Sequence, residues 1–277
     1  MKFFNPGEEP TEQRHCADHG EYESKNYFGS RWSQCPECSR LDAIKRDEEE
    51  KARAKEAADI RMKARIVSTQ IPPRFLDRTL NSYIPSDDKQ KKALSICTAY
   101  ANDFDHVLEN GSSLIFSGKP GTGKTHLAAG IGLKVAKEYR RDVLFSTVMR
   151  VIRRIKSTWG HKAPGEYRET EGEAIAAFAD VDLLILDEVG VQFGSETEEN
   201  FLFDIINERY ENRRPTIIIS NLDIEGVKQY LGERAFDRLR EDGGKYIPFT
   251  WDSYRGTKQG LVAPTANELL ITPNLAD

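Results

Sequence analysis

A glycine-rich stretch in the middle of the chain has the composition of a phosphate-binding loop. It reads GKPGTGKT and matches the pattern G-x-x-x-x-G-K-[ST]. Glycines let the backbone curl so that its N–H groups, and the start of the following helix, face an anion. In such a loop the lysine reaches the β- and γ-phosphates of a nucleotide, and the hydroxyl after it binds magnesium. The predicted loop consists of Gly118, Lys119, Pro120, Gly121, Thr122, Gly123, Lys124 and Thr125.

Two carboxylates end an apolar run further along the chain. The segment VDLLILDE closes with Asp187 and Glu188, and ligands of open parallel sheets bind at the carboxyl ends of the strands. We expect Asp187 to hold magnesium with Thr125, and Glu188 to orient or deprotonate an attacking water. Asn221 ends another apolar run, PTIIISN, where its amide could polarise the same water; a strand terminus or helix cap is the alternative. The set favours ATP hydrolysis over a small-molecule kinase, which does not need to activate water.

Cysteine and histidine pairs near the N-terminus have metal-ligand spacing. Two residues separate Cys16 from His19, and two separate Cys35 from Cys38. Three cysteines and one histidine in such pairs are typical of a structural zinc site, whose metal supplies folding energy to a segment too small for its own core. His15 is an alternative to His19. Disulfides compete with this interpretation, but a reducing compartment disfavours them.

Composition limits the class of protein. The chain has 277 residues, a formal net charge of −5 and 38% hydrophobic residues. It has no apolar run of the roughly 18 residues that a membrane span needs, and no apolar signal core, so we expect a cytoplasmic protein without a membrane partner. The charge argues against a globally basic nucleic-acid coat but permits a local basic strip. Cys97 fits a buried helix position.

Strand and helix patterns alternate around these chemical residues. Such alternation predicts an α/β fold with a parallel sheet covered by helices on both faces. The two prolines of IPPRF break any helix before them, so a folded unit should begin there. Ser195 and Glu198 form a capping-box pattern at the start of a helix. We divide the chain into a zinc-binding module (1–40), a charged helical linker (41–70), a nucleotide-binding domain (71–256) and a tail (257–277). The predicted strands lie at 113–118, 142–147, 181–188 and 216–221, and the predicted helices lie at about 124–140, before 158 and at 195–213.

The segment TVMRVIRRIKSTWG has a basic side and an apolar side when it is drawn as a helix. Val151, Ile152 and Ile155 share one side, while three arginines occupy another and Lys156 and Trp159 follow. Basic groups track phosphates and an exposed aromatic ring stacks on a base, so the segment is a candidate site for single-stranded DNA. The alternative is a solvated helix with Trp159 in the core.

Near the C-terminus, LGERAFDRLRED places two arginines on one helical face. Arg234 and Arg238 lie four residues apart, away from Phe236 and Leu239. Taken alone, this stretch is a solvated amphipathic helix.

The order of these motifs resembles one family. FSGKPGTGKTHLAA, VDLLILDEVGVQ, LGERAFDRLRE and WDSYRG are similar to motifs of the AAA+ ATPases of the DnaC/DnaI helicase-loader group, over roughly residues 72–256. IstB-type transposition helpers are close relatives. The resemblance implies an AAA+ fold and an ATPase with ATP and Mg²⁺ as cofactors, stimulated by single-stranded DNA and a partner. It also implies self-association through the ATPase domain and a replicative hexameric helicase of the DnaB type as the partner.

The resemblance also implies residue roles. Arg238 would act as a finger on the nucleotide of a neighbouring subunit, with Arg234 as a second candidate, and Arg255 would sense phosphate within its own subunit. Lys156 and Trp159 would contact DNA. DnaI-type loaders carry a zinc-bearing domain that docks on the helicase, so we expect this role for the N-terminal module and, from the mixture of DnaI-like and DnaC-like features, a phage or prophage origin. The remaining alternatives are an IstB-like transposition helper and a nucleotide-dependent adaptor without catalysis.

Overall fold

The computed structural model describes residues 10–27, 31–160, 167–191 and 196–254. The chain divides into two compact units, Met1–Met62 and Lys63–Asp277. The division falls within one long helix, whereas the sequence suggested boundaries after residues 40 and 70. No helix in these ranges is long and apolar enough to cross a membrane.

The first unit is a small hairpin followed by the long helix. Strands β1 (Thr11–Cys16) and β2 (Gly20–Tyr27) pair antiparallel, and the short β3 (Arg31–Trp32) pairs with β2. Helix α1 (Pro36–Ser68) begins at a proline, which suits a first helical position because its missing N–H would have no partner there. The hairpin end and the helix start therefore carry the cysteines of the predicted zinc site.

The second unit is an α/β domain, as the alternating pattern predicted. The predicted helix at about 124–140 is confirmed, although its last turn, Val135–Tyr139, is a π-helix. No element was predicted at the position of the last strand.

The helices of the second unit are α2 (Asp88–Asn102), α3 (Phe104–Asn110), α4 (Lys124–Lys134), α5 (Val148–Ser157), α6 (Glu171–Ala179), α7 (Glu196–Glu211), α8 (Ile224–Leu231) and α9 (Glu233–Arg240). Its strands are β4 (Leu114–Gly118), β5 (Val143–Thr147), β6 (Leu183–Val189), β7 (Thr216–Ser220) and β8 (Lys245–Phe249).

These strands form one parallel sheet in the order β5-β6-β7-β4-β8. Strand β7 thus lies between β4, which leads into the glycine-rich loop, and β6, which ends in the two carboxylates. The carboxyl ends of parallel strands share one edge of a sheet. The order therefore gathers the predicted nucleotide residues at that edge.

Buried side chains alternate between the two faces of the sheet. On β4, Leu114 and Phe116 join the core beneath α2, α3 and α4, while Ile115 joins the core beneath α5 to α9. On β6, Leu184 and Leu186 likewise belong to the second core. Strands buried on both faces read as continuous apolar runs, which is why these segments were recognisable in the sequence. Cys97, on α2, is fully buried as predicted.

Candidate functional site

The glycine-rich loop connects β4 to α4, as the motif requires. Gly118, Gly121 and Gly123 have φ values of 140°, 80° and 96°, a region that glycine enters without a steric penalty. A Cβ atom on Gly123 would also lie 2.7 Å from the ring of Tyr83. The loop conformation therefore depends on glycine at these positions.

Lys124 is folded over the loop that precedes it. Its side chain is buried, and Nζ donates hydrogen bonds to the carbonyl oxygens of Gly118 at 2.5 Å and Lys119 at 2.8 Å. A cation is thereby held at the mouth of the loop, which is the charge that a polyphosphate requires.

Thr125 and Asp187 meet across the sheet edge. The Thr125 hydroxyl donates to Oδ2 of Asp187 at 3.0 Å, and the N–H of Glu188 donates to Oδ1 at 2.7 Å. Burial raises the pKa of Asp187, and these two hydrogen bonds oppose the rise by stabilising the carboxylate. Hydroxyl and carboxylate oxygens are ligands that magnesium accepts. The two residues predicted to hold the metal are therefore adjacent.

Glu188 has a strained backbone and an exposed side chain. Its φ is 62°, although it carries a Cβ atom, and β6 loses its regular register between Leu186 and Val189. Such φ values in residues other than glycine cost free energy and cluster at functional sites. The kink turns Glu188 into solvent directly beside Asp187.

Asn221 follows β7 at the same edge. Ser220, the residue before it, is in register with Ser117 of β4 and with Val189 of β6. The Ser220 hydroxyl donates to the carbonyl of Val189 at 2.7 Å, and the Ser117 hydroxyl donates to the carbonyl of Leu222. These bonds fix the chain on both sides of Asn221, whose side chain is exposed between the loop strand and the carboxylate strand.

Tyr83 and His126 form a contact beside the loop that the sequence did not indicate. Their rings meet edge to face with centroids 5.2 Å apart, and Tyr83 packs on the Gly123 backbone. Burial lowers the pKa of His126, whose Nε2 lies 3.0 Å from the carbonyl oxygen of Thr79. The segment before α2 thus supports the start of α4. Only the tertiary fold brings it there.

The two arginines of α9 differ in their surroundings. Arg234 is exposed, whereas the Arg238 guanidinium lies over the rings of Phe203 and Tyr210 on α7, at 5.0 and 5.5 Å from their centroids. Phe236 is buried on the other side of the helix, as predicted. The candidate finger therefore rests on an aromatic support.

Several predicted positions lie outside the described residues. Arg255 is one, and Ser195 of the capping box is another. Tyr254 is described, and its N–H donates to the carbonyl of Gly121 at 2.9 Å.

The candidate DNA residues on and after α5 lie on the surface beside carboxylates. Trp159 is 55% exposed, which argues against the alternative that it belongs to the core, although its ring packs beside the buried Phe201 with centroids 6.0 Å apart. Its Nε1 donates to Glu171 at 2.6 Å, and Lys156 pairs with Glu198 at 2.7 Å. The aliphatic face of α5 is buried as predicted, for example at Ile155.

The four predicted zinc ligands converge. The ligand atoms of Cys16, His19, Cys35 and Cys38 all lie within 4.8 Å of one another. Individual separations are 3.5 Å between the sulfurs of Cys16 and Cys38, and 3.3 to 3.7 Å from the three sulfurs to His19 Nδ1. A tetrahedron with zinc–sulfur bonds of about 2.3 Å has edges of about 3.8 Å, so the donor set fits zinc. His15, which precedes Cys16 on the strand, is exposed and outside the cluster, so the choice between the histidines falls on His19.

Comparison with known proteins identifies the family. The model of the family described as IstB-like ATP binding protein matches residues 44–259. The chain belongs to this ATP-binding family.

Curated relatives refine this assignment, and a solved structure shares the fold. The replicative helicase loader DnaC of Buchnera aphidicola subsp. Acyrthosiphon pisum is 37% identical over 186 residues, which are 67% of this chain and 72% of the relative. DnaC of Escherichia coli strain K12 is 35% identical over 190 residues, 69% of this chain and 74% of the relative. The crystal structure of the DnaC helicase loader matches with a TM-score of 0.56 and 23% identity, over 64% of this chain and 98% of that chain. The predicted AAA+ fold and the resemblance to the DnaC/DnaI group are confirmed.

Proposed function

We propose that this chain is an ATPase that loads a replicative helicase of the DnaB type onto single-stranded DNA during the initiation of replication. The observation that carries the ATPase part of the proposal is the 3.0 Å hydrogen bond between Thr125 and Asp187, which joins the phosphate loop to the carboxylate strand. Relatives named as helicase loaders supply the biological context.

The residues gathered at the carboxyl edge of the sheet account for the proposed nucleotide chemistry. ATP binds with its phosphates against the N–H groups of Gly118–Thr125 and the ammonium of Lys124. Thr125 and Asp187 would hold Mg²⁺, which would neutralise charge on the phosphates. Glu188 accepts a proton from the attacking water, and the Asn221 amide orients that water. The exposure of both side chains supports this role, since the water must reach them from solvent.

The site is completed by a second subunit. In our proposal Arg238 reaches the γ-phosphate of a neighbour and stabilises charge as the bond breaks, with Arg234 as the second candidate. Arg255 senses phosphate within its own subunit. Self-association through the ATPase domain then makes hydrolysis depend on assembly.

We also propose partners for the basic segment on and after α5 and for the N-terminal module. Lys156 and Trp159 bind single-stranded DNA by phosphate neutralisation and base stacking, which supports DNA-stimulated hydrolysis. Zinc held by the Cys16, His19, Cys35 and Cys38 set stabilises the N-terminal module, which docks on the helicase. The proposed setting is the cytoplasm.

A helicase-loading reaction tests the proposal. Unwinding of a forked DNA, whose single strand is coated with single-strand-binding protein, should require the full chain, a DnaB-type helicase and ATP. Lys124→Ala should abolish this stimulation, while Lys137→Ala, which removes a lysine outside the loop, should not.

The same reaction separates a second candidate function. The family match also favours an IstB-like transposition helper, which shares the ATPase domain. A chain that hydrolyses ATP with DNA but never stimulates unwinding would contradict helicase loading and favour this alternative.

A further inference from the structure

The glycines that shape the phosphate loop also leave it free to adopt other shapes. Thr122 lies between Gly121 and Gly123, which both have positive φ values. A flip of the Thr122–Gly123 peptide changes the ψ of Thr122 and the φ of Gly123, and since glycine adopts positive and negative φ with similar ease, this flip has a low cost. A flip would turn an N–H away from the phosphate and a carbonyl towards it, so some contact must fix the orientation.

Trp251 makes such a contact. Its indole Nε1 donates a hydrogen bond of 2.8 Å to the carbonyl oxygen of Thr122. The N–H of Tyr254 donates to the carbonyl of Gly121 at 2.9 Å, and the N–H of Leu127 donates to the carbonyl of Gly123 at 3.0 Å. Three consecutive carbonyl groups of the loop are therefore held by donors, and the first two donors come from the segment that follows β8.

The indole is itself held rigidly. Trp251 is 8% exposed, and its ring packs beside Phe249 with centroids 4.7 Å apart. Phe249 packs beside Phe116 of β4 at 5.3 Å. The rings of Phe116 on the loop strand, Phe249 on the edge strand and Trp251 thus pack against one another in series. A donor fixed in this way discriminates between the two peptide orientations, whereas a mobile surface donor would follow either.

Peptide geometry links this contact to phosphate binding. In a planar trans peptide the C=O of one residue and the N–H of the next point in opposite directions. Holding the Thr122 carbonyl against Trp251 therefore directs the Gly123 N–H to the other side of the loop. Holding the Gly121 carbonyl against Tyr254 does the same for the N–H of Thr122.

We infer that Trp251 is a positioning residue of the nucleotide site, which holds the Thr122–Gly123 peptide with its N–H towards the bound phosphates. The inference rests on the proposed nucleotide site and assigns a role outside the motif. It also gives the segment after β8 a function that is independent of Arg255.

The test removes the donor and keeps the ring packing. Trp251→Phe should raise the Kd for ADP and for ATP with Mg²⁺ about five- to tenfold, as expected for one hydrogen bond, when measured by titration calorimetry. Turnover at saturating ATP should stay nearly unchanged, because the contact acts equally in the ground state and the transition state.

Tyr100→Phe is the matched control. Tyr100 is also 8% exposed, belongs to the same core, and donates to a backbone carbonyl, that of Ser112, at 2.9 Å. It should lower the melting temperature to a similar extent as Trp251→Phe while leaving nucleotide affinity unchanged. Equal nucleotide affinity in the two variants would overturn the role of Trp251 but leave the proposed nucleotide site standing. A wild-type chain that binds neither ADP nor ATP would overturn the proposed nucleotide site as well.

A measurement on the wild-type chain covers the case in which Trp251→Phe does not fold. In protein labelled with ¹⁵N-tryptophan, the indole signals of Trp32 and Trp159 can be identified from their phenylalanine variants. The remaining signal, from Trp251, should exchange slowly with solvent and shift when ADP is added. Fast exchange together with no shift at saturating ADP would contradict the role of Trp251.

Discussion

The zinc-ligand cluster and the nucleotide site bring their residues together in opposite ways. Cys16 and His19 come from one hairpin, and Cys35 and Cys38 flank the start of the next helix, so a short stretch of chain supplies all four ligands. The nucleotide site instead draws on the ends of β4, β6 and β7, which are distant in sequence and adjacent only in the sheet. The first site is specified by spacing, and the second is specified by topology.

This difference has a functional consequence. A site with all its ligands in one stretch is complete within one chain, and its properties should not depend on protein concentration. A site at the edge of a sheet stays open to solvent and to another subunit. The α9 arginines lie far from those strands in sequence, and of them Arg238 rests on α7. We therefore expect the nucleotide site, but not the zinc site, to respond to assembly.

The largest effect is expected for Arg238, the proposed arginine finger. Arg238→Ala should lower ATP turnover in the assembled complex about a thousandfold while largely preserving ATP affinity, because the finger acts as the γ-phosphate bond breaks. Arg240→Ala, which removes a neighbouring cation of the same helix, should change turnover little. Arg234→Ala tests the second candidate.

Subunit mixing tests whether the finger acts in trans. Lys124→Ala should also be nearly inactive, but it retains an intact arginine, and Arg238→Ala retains an intact loop. Mixed in the presence of DNA and the helicase, the two variants should give more ATPase activity than the sum of the separate activities. No recovery despite demonstrated co-assembly would contradict a trans role and leave α9 as a solvated helix.

Glu188→Gln should produce the next largest effect. Loss of a general base should lower turnover on the order of a hundredfold, whereas ATP should still bind. Asp187→Asn is the contrasting variant, because it removes an oxygen of the proposed magnesium pair and should weaken the Mg²⁺ dependence of ATP binding. Both are measured by steady-state hydrolysis and nucleotide titration. Unchanged turnover in Glu188→Gln would place the base elsewhere.

Motif and pattern made much of this architecture predictable. The loop motif indicates a strand before it and a helix after it, and strands buried on both faces appear as apolar runs. The convergence of Thr125 and Asp187 follows once a parallel sheet is assumed, since strand ends share an edge. Spacing alone indicated a zinc site with three cysteines and one histidine, but it did not decide between His15 and His19.

Other features depend on contacts that sequence patterns do not encode. Pro248 makes the segment of β8 a poor strand candidate, yet β8 is an edge strand, where a proline that lacks an N–H is tolerated. Arg209 would be read as a solvated helix residue, but it is fully buried and donates to the carbonyls of Phe178, Ala179 and Val181, at the end of α6 and just beyond it. The positive φ of Glu188 likewise follows from an irregular strand pairing.

Zinc content provides the third prediction, with an expected effect of about tenfold or more. Protein purified without added zinc should contain about one equivalent, because three thiolates and an imidazole form a complete tetrahedral set. Cys35→Ser combined with Cys38→Ser should reduce this at least tenfold, by metal analysis, while ATP binding stays intact. Cys97→Ala is the matched control and should keep the metal. A metal-free N-terminal module that is still folded would contradict the prediction.

The smallest effects are expected for substitutions of the candidate DNA contacts on and after α5. Trp159→Ala should weaken single-stranded DNA binding about tenfold through loss of stacking. Lys156→Ala should weaken it less and reduce the slope of log affinity against log salt by about 0.7, the value for one phosphate of a single strand. Substitution of the carboxylates that contact these side chains should change DNA affinity in the opposite direction. Glu171→Gln and Glu198→Gln should each strengthen binding, because they remove negative charge beside Trp159 and Lys156. Fluorescence anisotropy with a labelled oligonucleotide measures all four variants under one buffer series. Equal affinity in every variant would mean that the exposed ring and its acidic neighbours serve only the fold, since a DNA surface cannot lose both its stacking and its charge without effect.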